Sequence, residues 1–212
     1  MNCYAPLDTE TGGLDHKLAD LLTMYICVTD ESFNILDELD LQLKPNDGRL
    51  PRAEAGALKI NGINLQEHMA DPKTITYAEA KVLIVTMLKK HLKKNGRYSN
   101  IRTMGHNLPF DNGFIWEYIM PKEEWTNIVH YGIIDTKSNT DFLKDAGWLP
   151  KEVGTLTSLV DFFGIAKRDA HRAKGDTLMC VDVYRAQLAL MASKKDGGGA
   201  PQQDLISLLE QE

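Results

Sequence analysis

The chain has 212 residues, 43% of them hydrophobic, and a formal net charge of −6; this is the size of one larger domain with enough apolar residues for a full core. With no general basic field, it would grip a nucleic acid over a short stretch and not wrap a long duplex. Three scattered cysteines, Cys3, Cys27 and Cys180, exclude a zinc knuckle and a disulfide framework, and neither a signal peptide nor an apolar run of roughly 18 residues is found, so a cytoplasmic protein with no membrane partner is expected.

The apolar run Cys3-Tyr4-Ala5-Pro6-Leu7 leads straight into Asp8-Thr9-Glu10-Thr11-Gly12-Gly13-Leu14. Residues i and i+2 of a strand share a face, so Asp8 and Glu10 stand together and repel one another. A hard divalent cation such as Mg²⁺ or Mn²⁺ takes carboxylate oxygens and cures that repulsion. A solvated strand end is the plain alternative. Gly12 and Gly13 let the backbone turn sharply and approach a ligand.

Residues 21–29 read as a buried strand, and residues 35–43 alternate apolar with acidic as a half-exposed strand does. With residues 3–10 they predict a three-stranded antiparallel meander. Residues 45–51 form a loop, and residues 53–69 break into two short pieces at Asn61-Gly62. Thr76 caps a long helix, with Glu79 completing a capping box. Its far end carries Lys89, Lys90, Lys93, Lys94 and then Arg97. Cations at a helix C-terminus are favourable anyway, so this end reads first as a solvated structural end and second as a phosphate-contacting patch.

Residues 101–106 predict a strand, followed by Asn107-Leu108-Pro109 and a helix over 110–120. A strand over 129–134 ends in Asp135-Thr136, where Asp135 reads as a cap, although strand ends are also where open α/β sheets hold ligands. Helices are expected over 142–146, 156–163 and 176–192, with a loop over 164–175. Asp111, at the start of a helix, has a capping aspartate as its plain reading. His106 and Asn107 read as holding the strand-to-helix turn. In His171-Arg172-Ala173-Lys174-Gly175-Asp176 a loop histidine stands among cations five residues before a helix-starting acid, which suits a general base beside a phosphate. Strands first, then alternating helix and strand, imply a mixed sheet with helices packed on it. Residues 1–195 are expected as the folded domain and 196–212 as a flexible linker with a short tail.

Asp8, Glu10, Asp111, His171 and Asp176, in this order, resemble the DEDDh exonucleases of the ribonuclease H-like superfamily, a group with the proofreading subunit of bacterial replicative polymerase, ribonuclease T and oligoribonuclease. The three motifs are D-T-E-T-G-G-L, H-N-L-P-F-D and H-R-A-K-G-D, and the likeness covers roughly residues 1 to 192. It implies an α/β fold with a mixed five-stranded sheet, a three-strand meander plus two parallel strands, and helices on both faces. It also implies metal-dependent 3′→5′ hydrolysis of single-stranded ends, with release of nucleoside 5′-monophosphates.

By that resemblance Asp8, Glu10 and Asp176 hold one Mg²⁺, Asp8 and Asp111 a second, with Mn²⁺ able to substitute, and His171 takes a proton from the attacking water. Thr11, Gly12 and Leu14 become contacts of the terminal nucleotide, and His106, Asn107, Arg172 and Lys174 further substrate contacts. The sequence departs from the family at Gly12, which stands for a second threonine, and at Arg172 and Lys174, which add positive charge. The tail Gln202-Gln203-Asp204-Leu205-Ile206 is similar to the peptide by which bacterial polymerase factors bind the sliding clamp, with Gln202, Asp204, Leu205 and Ile206 as anchors. That tail favours DNA as substrate in replication or repair. An exoribonuclease of the ribonuclease T type and a catalytically silent nucleic-acid-binding module are the alternatives.

Overall fold

The computed structural model describes residues 2–168 and 172–197, the last four by backbone alone. The chain opens with β1 (Cys3–Thr11), β2 (Leu21–Thr29) and β3 (Ile35–Lys44), the antiparallel meander that the apolar and alternating runs predict. Two short helices follow, α1 (Ala55–Asn61) and α2 (Leu65–Ala70). They part at Gly62, whose φ of 67° suits a residue without a Cβ.

The sheet has six strands where five are expected, the extra one being β4 (Thr74–Thr76), parallel to β3. Three residues are too few to display a strand period, and Thr76 reads more strongly as the cap it also is. Its hydroxyl and Glu79 form the full capping box at the head of α3 (Tyr77–His91). A hairpin of β5 (Lys94–Asn95) and β6 (Tyr98–Ser99) precedes β7 (Ile101–Gly105).

Next come α4 (Leu108–Phe114), which continues as a π-helical turn (Ile115–Ile119), and α5 (Lys122–Ile128). The strand expected over 129–134 is only β8 (Ile134–Asp135). Val129 caps α5, and residues 130–133 turn around Gly132, leaving little length to pair. Asp135 accepts from the Lys137 amide and starts α6 (Thr136–Asp145) six residues before the expected helix. After α7 (Leu156–Phe163), the last helix, α8 (Ala173–Gly197), begins three residues before Asp176 and passes residue 195, the expected domain boundary.

The strand order is β4-β3-β2-β1-β7-β8, with β7 parallel to β1 and β8 parallel to β7. One face of the sheet packs Ala5, Leu7, Met24 and Ile26 against Ile84 and Leu88 of α3. The other packs Met104 and Ile134 against Cys180 and Val181 of α8. Helices therefore cover both faces, and β1 lies inside the sheet between them. Among the described residues no helix is long and apolar enough to cross a membrane.

Candidate active site

Alternation along β1 sends Leu7 and Thr9 to the buried side and leaves Asp8 and Glu10 half-buried together on the other. There α8 meets them. Asp8, Glu10 and Asp176 each offer a carboxylate oxygen, and the three lie within 4.8 Å of one another. The pairing of β1 with β2 shifts register between Glu10 and Thr11, an irregularity that re-aims the chain as it leaves the acidic pair.

Asp111, on α4, is not within that 4.8 Å set. It is buried, and its Oδ1 accepts from the Thr9 amide at 3.0 Å and from the Thr9 hydroxyl at 2.6 Å. Its charge nevertheless reaches the set. Burial pushes the Asp8 carboxyl well above the ordinary carboxylate range, and the charges of Asp111, Glu10 and Asp176 push it further. Burial, then Asp176 and Asp111, raise Glu10 to about 7, against a small easing by Arg172. Burial likewise raises Asp111, although its bonds from Thr9 oppose that rise. Close, water-poor carboxylates without a matching number of cations are a donor set for hard divalent metal, and these residues fit one.

The turn after β1 is held from outside. A Cβ on Gly12 would stand 2.2 Å from the Arg52 carbonyl oxygen, so no other residue fits there without moving backbone. Gly12 donates to the Asp20 carbonyl at 2.8 Å and accepts from the Glu54 amide at 2.7 Å. Thr11 Oγ1 donates to the Gly13 carbonyl at 2.7 Å, and Asn61 Nδ2 donates to the Thr11 carbonyl at 3.2 Å. Leu14 projects outward, 84% exposed, over a cavity of about 330 Å³ whose wall includes Thr9, Glu10, Glu54, Ile60, Asn61 and Phe110. A second, more polar cavity of about 380 Å³ runs from Glu10 past Asn61 and His68 to Arg172 and Lys174.

The remaining predicted contacts divide. Arg172 lies beside Glu10. Lys174 is engaged elsewhere: its Nζ pairs with Glu38 at 3.0 Å and sits 5.2 Å above the Tyr25 ring, whose hydroxyl donates to the same Glu38. His106 Nδ1 is hydrogen-bonded with the Thr136 hydroxyl at 2.9 Å, and burial lowers its pKa. Asn107 takes a φ of 64° and donates its amide to Asp135 Oδ1 at 2.7 Å. His171 and the tail residues Gln202, Asp204, Leu205 and Ile206 lie outside the described residues.

Sequence reasoning gave no site role to Asn61, Glu54 or Phe110, which line the cavity at Leu14, although Phe110 stands within the motif H-N-L-P-F-D. The signal at Asn61, the Asn-Gly break, reads as a turn and not as a clamp on Thr11.

The six-stranded mixed sheet with helices on both faces has the ribonuclease H-like α/β fold expected from the sequence. In three dimensions the chain resembles exonuclease I. With Escherichia coli exonuclease I in complex with a dT13 oligonucleotide it shares 22% identity at a TM-score of 0.65, over 99% of this chain and 43% of that one. With the same enzyme bound to a 5cy-dT13 oligonucleotide it shares 20% identity at 0.68, over 98% and 45%. With a moderately thermophilic exonuclease I from Methylocaldum szegediense it shares 22% at 0.67, over 88% and 40%. The chain thus spans less than half the length of these proteins. No family model and no curated protein matches it in sequence.

Proposed function

We propose that this chain is a metal-dependent 3′→5′ exonuclease that hydrolyses single-stranded ends, DNA in preference to RNA, and releases nucleoside 5′-monophosphates. The observation that carries the reading is the convergence of Asp8, Glu10 and Asp176, with the carboxyls of Asp8 and Glu10 raised, at the edge of a cavity with an apolar rim. Asp8, Glu10 and Asp176 hold one Mg²⁺ in this reading, and Asp8 with Asp111 a second. Bound divalent cations of this kind activate water and neutralise charge at a phosphodiester.

The chain's own residues do the rest. Leu14 and Phe110 offer apolar surface to the terminal base, and the Thr11 turn, braced by Asn61, positions the sugar. Arg172, beside Glu10, supplies positive charge to the phosphate. His171, assigned from its motif, takes the proton of the attacking water, for which an imidazole pKa near 6.5 is suited at neutral pH. The exonuclease I complexes with dT13 oligonucleotides support single-stranded DNA as the substrate class. The tail Gln202-Gln203-Asp204-Leu205-Ile206 adds docking to a sliding clamp in replication or repair, which deletion of residues 201–212 should abolish in a pull-down.

Matched 3′-labelled and 5′-labelled DNA and RNA oligonucleotides, incubated with Mg²⁺, with Mn²⁺ and with chelator, test the reading. Stepwise loss from the 3′ end of DNA, abolished by chelator and by Asp8→Ala, is expected. Internal cutting, or activity that survives both treatments, overturns it, and faster loss from RNA transfers the reading to an exoribonuclease.

A further inference from the structure

The end of the sheet away from the acids carries a second surface. Cys3, at the start of β1, pairs with Ile101 and donates its amide to Asn100, so the hairpin Lys94–Ser99 lies at the opposite end of β1 from Glu10. Three rings gather there. Tyr131 stacks on His130 at 4.5 Å and 26°, and both lie within 6 Å of Tyr98, at 5.8 and 5.7 Å. Such rings normally bury one another, yet Tyr131 is 69% exposed and Tyr98 40%, leaving ring surface open. Arg97 stands 5.0 Å from the Tyr98 ring centroid.

Charge points the same way. Lys89, Lys93, Lys94 and Arg97 are exposed and form no ion pair among the described residues, whereas Lys90 is paired with Asp37. Asp30 and Glu31, whose charges act on Cys3 as that of Lys93 does, accept from amides of Asn34, Ser32 and Asn2 and form no ion pair with these cations among the described residues. A chain with a net charge of −6 thus concentrates unpaired cations beside open aromatic rings. Backbone phosphates and stacked bases are the chemistry that uses both at once.

We propose that Tyr98, Tyr131, Arg97 and Lys94 form a second contact for the 5′-ward part of the same single strand whose 3′ end enters the acidic site. The inference rests on the exonuclease reading and adds a retention device to it. Along β1, Cys3 and Glu10 are seven residues apart, about 23 Å at strand rise, which a stacked strand covers in about seven nucleotides. A trinucleotide cannot reach both sites, and a 20-nucleotide strand can.

Fluorescence anisotropy of 5′-labelled dT3 and dT20 in chelator, where nothing is cut, tests this directly. Wild type should bind dT20 at least tenfold more tightly than dT3. Tyr131→Ala should remove about a tenfold share of that difference, Tyr131→Phe should keep it, and Lys94→Glu with Arg97→Glu should flatten its salt dependence. With Mg²⁺, KM for dT20 should rise in the Ala and Glu variants while kcat on dT3 stays unchanged. Equal dT20 binding by wild type and by Tyr131→Ala together with the Glu pair overturns the proposal, as does a patch that binds an acidic peptide and not dT20. Absence of hydrolysis by wild type would instead overturn the exonuclease reading, because the binding comparison needs no turnover.

Discussion

Asp20 and the acidic pair on β1 are all taken at least partly out of water, and they have opposite fates. Asp20 has a fully buried side chain, yet Arg49 and Arg52 grip it, with Arg52 Nη2 at 2.9 Å and its amide at 2.6 Å. Burial opposes ionisation there, but the two arginines overcome it and hold the Asp20 carboxyl far below the ordinary range. Asp8 and Glu10 are surrounded by further acids, and their carboxyls rise. Asp20 is a finished interaction that locks the turn carrying Gly12. The acids on β1 are unfinished, and at neutral pH and above folding holds them together at a cost that a bound cation or a proton relieves.

That difference can be broken from either side. Asp8→Asn should lower exonuclease activity on the order of 10³-fold or more, yet raise the metal-free melting temperature at pH 7.5 by about 2 to 4 °C for each kcal/mol of repulsion removed. A fall in metal-free melting temperature would refute the view that these acids are in conflict. Asp20→Asn should do the reverse. Losing a buried partner of two guanidiniums that still reach solvent costs about 3 kcal/mol, the low end for a broken buried pair, or roughly 6 to 12 °C by differential scanning calorimetry. Residual activity per folded molecule should change far less than for Asp8→Asn.

His171→Ala should reduce the rate on the order of 10²-fold without moving the melting temperature, and an unchanged rate in single-turnover assays would remove His171 from the chemistry. The last test uses pH. Glu10 has an ordinary pKa of 4.5 and one of about 7 in the folded chain, so the folded state binds more protons between these values. Metal-free stability should therefore fall as pH rises through that window, with Asp8 and Asp111 acting in the same direction. Asp20 contributes the opposite slope, its stabilisation being lost only as pH falls below the ordinary aspartate value of 3.8. Saturating Mg²⁺ at about 100 times its Kd should restore about 5 to 10 °C at pH 7.5 and little at pH 5, where protons compete for the same oxygens.

The two groups also differed in how well the sequence displayed them. Asp8 and Glu10 sit at i and i+2 in a strand-like run, a local pattern, and Asp176 follows a basic loop. Asp20 shows nothing in sequence, because its partners lie 29 and 32 residues away and meet it only through the fold. The same limit explains Asn61, whose grip on Thr11 spans 50 residues. Long elements with a clear period, such as β2 and α7, were legible almost to the residue, and so was the start of α3. But α3 ends at His91, before the Lys93, Lys94 and Arg97 that the sequence places on its far end, because a hairpin begins at Lys94. Very short ones, β4 and β8, depend on what lies beside them in the sheet and had no period to read.

The arrival of Asp176 on α8 also carries a consequence for synthesis. The meander and α4 bring Asp8, Glu10 and Asp111 out of the ribosome first, and the third acid of the 4.8 Å set follows Asp111 by 65 residues (176 − 111). At about 5 to 20 residues per second, a nascent chain spends roughly 3 to 13 seconds with its cation site lacking one wall. On the proposed exonuclease reading, hydrolysis has to wait until this last helix has docked.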